Sequence, residues 1–176
     1  MFEHFETPQQ AYNYKLGATL KMEQKVLDIL DDSIENAQDE KVKALFVEHR
    51  RESEDHVRVV EEVFGLFDWE IDDSPCPAIE GLEKEGKANA KKADDVLVDS
   101  LLLQGALEVE HHEIAVYENL IINAKAMGRD DVVQELQRNL GSDSLQRWLE
   151  ATYPEDFTFT RAATNKGYRV LRGRRR

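Results

Sequence analysis

The chain has 176 residues, of which 41% are apolar and 34% charged, with nine glycines, four prolines and a single cysteine. That length and apolar content fit one domain with a real core, and the scarcity of glycine and proline favours long solvent-exposed helices over strands. The net charge of −13 is uneven: residues 151–176 hold seven Lys/Arg against two acids, a net of +5, which leaves −18 for residues 1–150. A body that acidic repels nucleic acid and anionic lipid, and it resembles the surfaces of proteins adapted to high salt. The expected division is therefore a folded unit over 1–150 and a basic C-terminal tail over 151–176, whose arginines between Arg169 and Arg176 are the one place where nucleic acid could be touched.

No apolar run is long enough to span a bilayer, and Met1-Phe2-Glu3-His4-Phe5-Glu6 lacks a basic region followed by an apolar one. The expectation is a cytoplasmic protein with no membrane association. The lone Cys76 cannot form an intramolecular disulfide, in agreement with a reducing compartment, and its place in a proline-flanked loop favours a structural role over a redox one.

Thr7-Pro8 reads as a helix cap followed by proline at the first helical position, opening a helix that runs to about Ala37. Its inward stripe is Leu16, Leu20, Glu23, Leu27, Leu30 and Ile34, with Glu23 standing where an apolar residue belongs. Asp39 caps a second helix to about Phe67, with the stripe Leu45, His49, Glu52, His56, Val59, Val63 and Leu66; three consecutive inward positions are metal-ligand types. After a loop over 68–77, the stretch from Ala78 to about Ala93 predicts a short crossover helix weakened by Gly81 and Gly86. Asp94-Asp95 opens a long third bundle helix that stops near Met127-Gly128, with the stripe Leu103, Leu107, Glu110, Ile114, Tyr117, Ile121 and Ala124 and with Glu113 at its edge. Adjacent His111 and His112 cannot both face inward, since neighbours differ by about 100° around a helix, and His112 is expected to be exposed. Asp130-Asp131 starts the fourth, carrying Val133, Leu136, Leu140 and Asp143 before Trp148 and Leu149.

Two helical hairpins joined by a longer connection predict an all-α, ferritin-like four-helix bundle with a crossover helix and a basic tail. Burying an unpaired carboxylate costs several kcal/mol, so inward acids on four facing segments should be paired, protonated or bound to a cation. A shared metal centre accounts for all of them at once. The candidate ligands are Glu23, His49, Glu52, His56, Glu110, Glu113 and Asp143. Spacing alone does not choose among iron, manganese and zinc. Tyr117, two turns after Glu110, reads first as a core tyrosine, with a hydrogen-bond donor to such a site or a redox-active side chain as the alternatives. Phosphate-cradling glycine loops, nucleophile elbows and structural-zinc spacings are missing, so any catalysis belongs to metals.

The stretch Phe46-Val47-Glu48-His49-Arg50-Arg51-Glu52-Ser53, then Val60-Glu61-Glu62-Val63-Phe64, Cys76-Pro77-Ala78-Ile79-Glu80-Gly81-Leu82 and Glu110-His111-His112-Glu113-Ile114-Ala115-Val116-Tyr117 closely resembles the YciE/YciF-like family of ferritin-like proteins. With Met22-Glu23-Gln24-Lys25, the similarity covers roughly residues 8–150. The resemblance implies a four-helix bundle, often dimeric, with a di-metal site discussed as two iron ions and a stress-associated role whose reaction is not established. It implies Glu23 as the helix-one ligand, His49 and Glu52 as the helix-two pair, and Glu110 with Glu113 from helix three.

Two departures stand out. Position 56, often glutamine in relatives, is histidine here. Helix four carries Gly141-Ser142-Asp143-Ser144 where relatives have a run of glutamates, and an aspartate sits about 1.5 Å further back than a glutamate would. The functional expectation is a di-metal carboxylate protein reacting with dioxygen or peroxide in stress protection. The alternative is a non-catalytic stress or structural/interaction protein with a degraded or single-metal site. Exposed apolar residues at the termini, Phe2, Phe5, Phe157 and Phe159, point to a homodimer.

Overall fold

A computed structural model describes residues 4–140, so Asp143, the tail and the other positions beyond Leu140 lie outside the described residues. Helix α1 spans Pro8–Asn36. It begins where the sequence says it should: Thr7 Oγ1 accepts from the Gln10 amide at 3.2 Å, while the Gln10 side chain accepts from the Thr7 amide at 3.2 Å, a reciprocal cap that satisfies two otherwise orphaned donors. Helix α2, Glu40–Leu66, is capped by Asp39, whose carboxylate accepts from the Lys41 amide at 2.7 Å.

Residues 67–76 then form a loop whose aromatic side chains cover the end of the bundle. Phe67 and Trp69 stack at 4.2 Å and Tyr12 leans on both. Helix α3, Pro77–Ala90, carries the chain back along the bundle and buries Ile79 completely. The expected opening of the next helix at Asp94-Asp95 is instead a single 3₁₀ turn over Asp95–Leu97, followed by α4, Val98–Ala126. Gly128, at φ 71°, ends α4 by adopting the left-handed conformation that costs glycine little, which lets the Arg129 amide return to the Ala124 carbonyl at 3.0 Å. Helix α5 is described over Asp130–Leu140.

Two polar clasps define the topology. At one end both carboxylate oxygens of Asp99, in the first turn of α4, accept from the Gln38 and Asp39 amides of the α1–α2 turn at 2.8 and 3.0 Å. At the other end Arg129, just before α5, donates to the Leu66 carbonyl at 2.6 Å and lies 4.1 Å over the Phe67 ring. Thus α1 and α5 run one way, α2 and α4 the other, and α3 is the return crossover. The fold is the all-α bundle of two hairpins that the periodicity predicts.

The core is drawn from every helix. Leu16, Met22 and Val26 of α1, Phe46, Val60 and Phe64 of α2, Leu120 of α4 and Leu136 of α5 are essentially inaccessible. The stripes differ from expectation in several places: on α1, Leu27 and Ile34 are half-buried while Met22 and Val26 are buried, and Leu140 of α5 is half-buried. Leu66 is 40% exposed, because the chain has already reached the end of the bundle. On α4 the buried arc is rotated: Leu107 and Ile114 are half-buried, while Ala106, Val109, Glu113 and Val116 are buried. That helix is packed by α1, α3 and α5 together, so its covered face is wider than a single stripe.

Candidate metal centre

Five of the seven candidate residues converge as buried side chains at mid-bundle: Glu23 from α1, His49 and His56 from α2, and Glu110 and Glu113 from α4. Glu52 stands beside them half-buried, its side chain 22% exposed. Asp143 lies outside the described residues. The placement of Glu113 corrects its reading as an edge residue: it is 3% exposed and faces the cluster. The same rotation corrects the expectation for the histidine pair. His111 is the exposed one, whereas His112 is half-buried against α1, its imidazole pushed below the ordinary range by burial and by the Lys15 charge.

The polar residues form two neighbouring groups. In the first, His49, Glu110 and Glu113 each present one ligand atom, and these atoms all lie within 4.8 Å of one another. His49 Nε2 is 3.2 Å from Glu110 Oε2, and His49 Nδ1 is 3.8 Å from Glu52 Oε2. Burial alone would lower the His49 pKa, but the flanking Glu110 and Glu52 carboxylates, Glu110 the closer, favour the charged imidazole and raise it to about 9.

In the second group, Tyr117 donates its hydroxyl proton to Glu23 Oε1 at 2.6 Å. Glu23 Oε2 makes no hydrogen bond and faces His56 Nδ1 at 3.6 Å, with the residue 0% exposed. Asn139 of α5 donates to the Tyr117 oxygen at 2.8 Å and to the His56 carbonyl at 3.2 Å. Burial, then the charge and hydrogen bond of Glu23, hold the Tyr117 hydroxyl well above its ordinary pKa, so it serves as a donor. Sequence reasoning placed Tyr117 near the site but missed Asn139. The available signal was an amide three residues after Leu136, on the inward face of a helix.

The donor set fits a divalent cation. Carboxylates with a few imidazoles suit iron, manganese or zinc, and a cation beside Glu23 Oε2 would compensate a charge that Tyr117 alone half-satisfies. Solvent approaches through a cleft of about 330 Å³ on the α2–α5 seam, lined by Glu52, Asp55, His56, Arg58, Glu62 and Asn139 among others. A larger cleft of about 380 Å³ between α1, α3 and α4 has apolar walls from Ile29, Leu82, Leu102 and Val109 and includes none of the clustered acids or histidines. Cys76 is buried at the N-cap of α3.

A buried histidine–carboxylate cluster inside two helical hairpins with an opposed crossover defines the class: an all-α bundle built around a polar centre. Residues 7–160 match the family described as a domain of unknown function, DUF892, and the chain belongs to that family. Two solved structures share the fold. YcfI from Rhodopseudomonas palustris is 27% identical with a TM-score of 0.78, over 86% of this chain and 96% of that one. The E. coli stress protein YciF is 22% identical with a TM-score of 0.77, over 84% of this chain and 95% of its own. No curated protein sequence matches. The YciF-like assignment made from the motifs on α2, α3 and α4 is borne out.

Proposed function

We propose that this chain is a metal-binding bundle protein that holds two ions, iron with manganese or zinc as substitutes, and uses them on dioxygen or peroxide in stress protection. The observation that carries the reading is the buried convergence of His49, Glu110 and Glu113 within 4.8 Å. Glu23, Glu52 and His56 complete the donor set, and Asp143, outside the described residues, is the remaining candidate. A redox-active ion held there would supply electrons to a small oxidant. The protein's own part is to bury the cluster within the bundle, to fix the carboxylates, and to admit small solutes past Glu52. Kinship in fold with a stress protein supports the physiological setting. The reading extends to a cytoplasmic homodimer, with residues 151–176 as a separate basic tail. No helix of the described residues is long and apolar enough to cross a membrane.

A second reading has its own support. The 3.2 Å pair of His49 and Glu110 can neutralise part of the cluster internally, as a non-catalytic stress or interaction protein would need. Elemental analysis of protein purified without chelator separates the two. About two ions per chain, retained on desalting, supports the metal reading, and less than about a tenth of an ion after anaerobic reconstitution with iron defeats it.

A further inference from the structure

Among its described residues α5 buries no acid, yet it reaches the buried centre through an amide. Asn139 is 5% exposed, and its side-chain nitrogen has two hydrogens and two acceptors: the Tyr117 oxygen at 2.8 Å and the His56 carbonyl at 3.2 Å. The orientation of the amide is fixed by those partners, because a flipped amide would set its oxygen against the His56 carbonyl. A hydroxyl has one proton. With one lone pair of Tyr117 occupied by an incoming N–H, its own proton is directed to Glu23 Oε1, where the oxygen–oxygen distance is 2.6 Å.

We propose that Asn139 is a positioning residue for Glu23, acting through Tyr117: the one-way chain from Asn139 to Tyr117 to Glu23 ties up Oε1 and leaves Oε2, turned to His56, as the single oxygen offered to a cation. The inference rests on the reading that Glu23 helps hold a metal. It also gives α5 a role independent of any carboxylate beyond Leu140 in the sequence, since the same amide binds α5 to the backbone of α2 and to the hydroxyl from α4.

The test uses cobalt(II) on the full chain, with the d–d absorption band and the dissociation constant as readouts. Asn139→Leu, which keeps the volume, and Tyr117→Phe are each expected to weaken binding about tenfold and to move the band in the same direction, as Glu23 gains the freedom to use both oxygens. The double variant is expected to lose no more than the worse single one, because the two residues act in series. Wild-type affinity within about twofold and an unmoved band in folded Asn139→Leu overturn the proposal, as do losses that multiply in the double variant. Should the variants not fold, ¹⁵N-labelled wild-type protein titrated with zinc gives the answer. The Asn139 side-chain amide protons are expected to shift on binding; fixed amide resonances alongside moving His49 ring signals overturn the proposal. If Glu23→Gln binds cobalt as the wild type does, with the same band, the role of Glu23 in the metal reading is what has failed, and the positioning role falls with it.

Discussion

Replacing Glu23 by glutamine in chelator-stripped protein is expected to raise stability while impairing metal uptake. The residue is 0% exposed, and one oxygen accepts from Tyr117 while the other faces His56 Nδ1 at 3.6 Å, too far for a hydrogen bond. Removing a carboxylate from water costs several kcal/mol even after relaxation. Its charge-assisted bond from Tyr117 returns only about 1.5–3 kcal/mol. Glutamine keeps an acceptor for Tyr117 at the same place and removes the charge, so the stripped variant should be more stable by about 1–3 kcal/mol. For a chain of this size that is a rise of about 2–12 °C in Tm. Urea titration by circular dichroism on protein stripped of metal measures it, with elemental analysis of the reconstituted variant alongside. A fall in stability of more than about 1 kcal/mol would refute the reasoning, because it would make Glu23 a satisfied structural partner in the absence of any cation.

Four further outcomes are expected. Glu110→Ala should abolish retained metal and, by removing the main group that raises the His49 pKa, drop it from about 9 toward or below 6.5, read from the ring resonances in stripped protein. In the unaltered stripped chain the raised His49 pKa contributes stability that is fully present below about pH 6.5 and lost as pH rises through about 9; denaturation midpoints that do not fall across that window refute the ion pair. Metal binding must displace that proton, so affinity should strengthen as pH rises toward 9, with proton release seen by calorimetry in buffers of different ionisation enthalpy. Gly17→Ala should cost about 1–3 kcal/mol in urea titration without touching metal uptake, because an added Cβ would come within 2.9 Å of the Asp72 carbonyl oxygen and push the 67–76 loop off α1.

Much of the architecture was legible because it rests on local rules. Thr7-Pro8, Asp39 and Gly128 mark helix ends through backbone hydrogen bonding that neighbouring residues decide, and all three act where expected. Glu23, His49, His56 and Glu110 stood out because a charged or imidazole group breaks an apolar stripe, and all four are buried together. The rotation of α4 was not legible. Which of Glu113, Ile114 and His112 turns inward depends on three packing partners, and a stripe drawn on one helix carries no information about them. Asn139 was missed for a related reason: an amide on a helix face has no distinguishing spacing, and its importance appears only when Tyr117 and the His56 carbonyl are set beside it.

The clasps at Asp99 and Arg129 sit at opposite ends of the bundle and join the same two hairpins. A sliding of α4 and α5 along α1 and α2 would have to break both together, so the hairpins are held against translation as a plank is held by a nail at each end. The spacing between Glu23 on one hairpin and Glu110 on the other is therefore set as much by residues far from the centre as by the centre itself. An alteration at Asp99 or Arg129 should be felt there as a change of register, with no residue of the cluster touched.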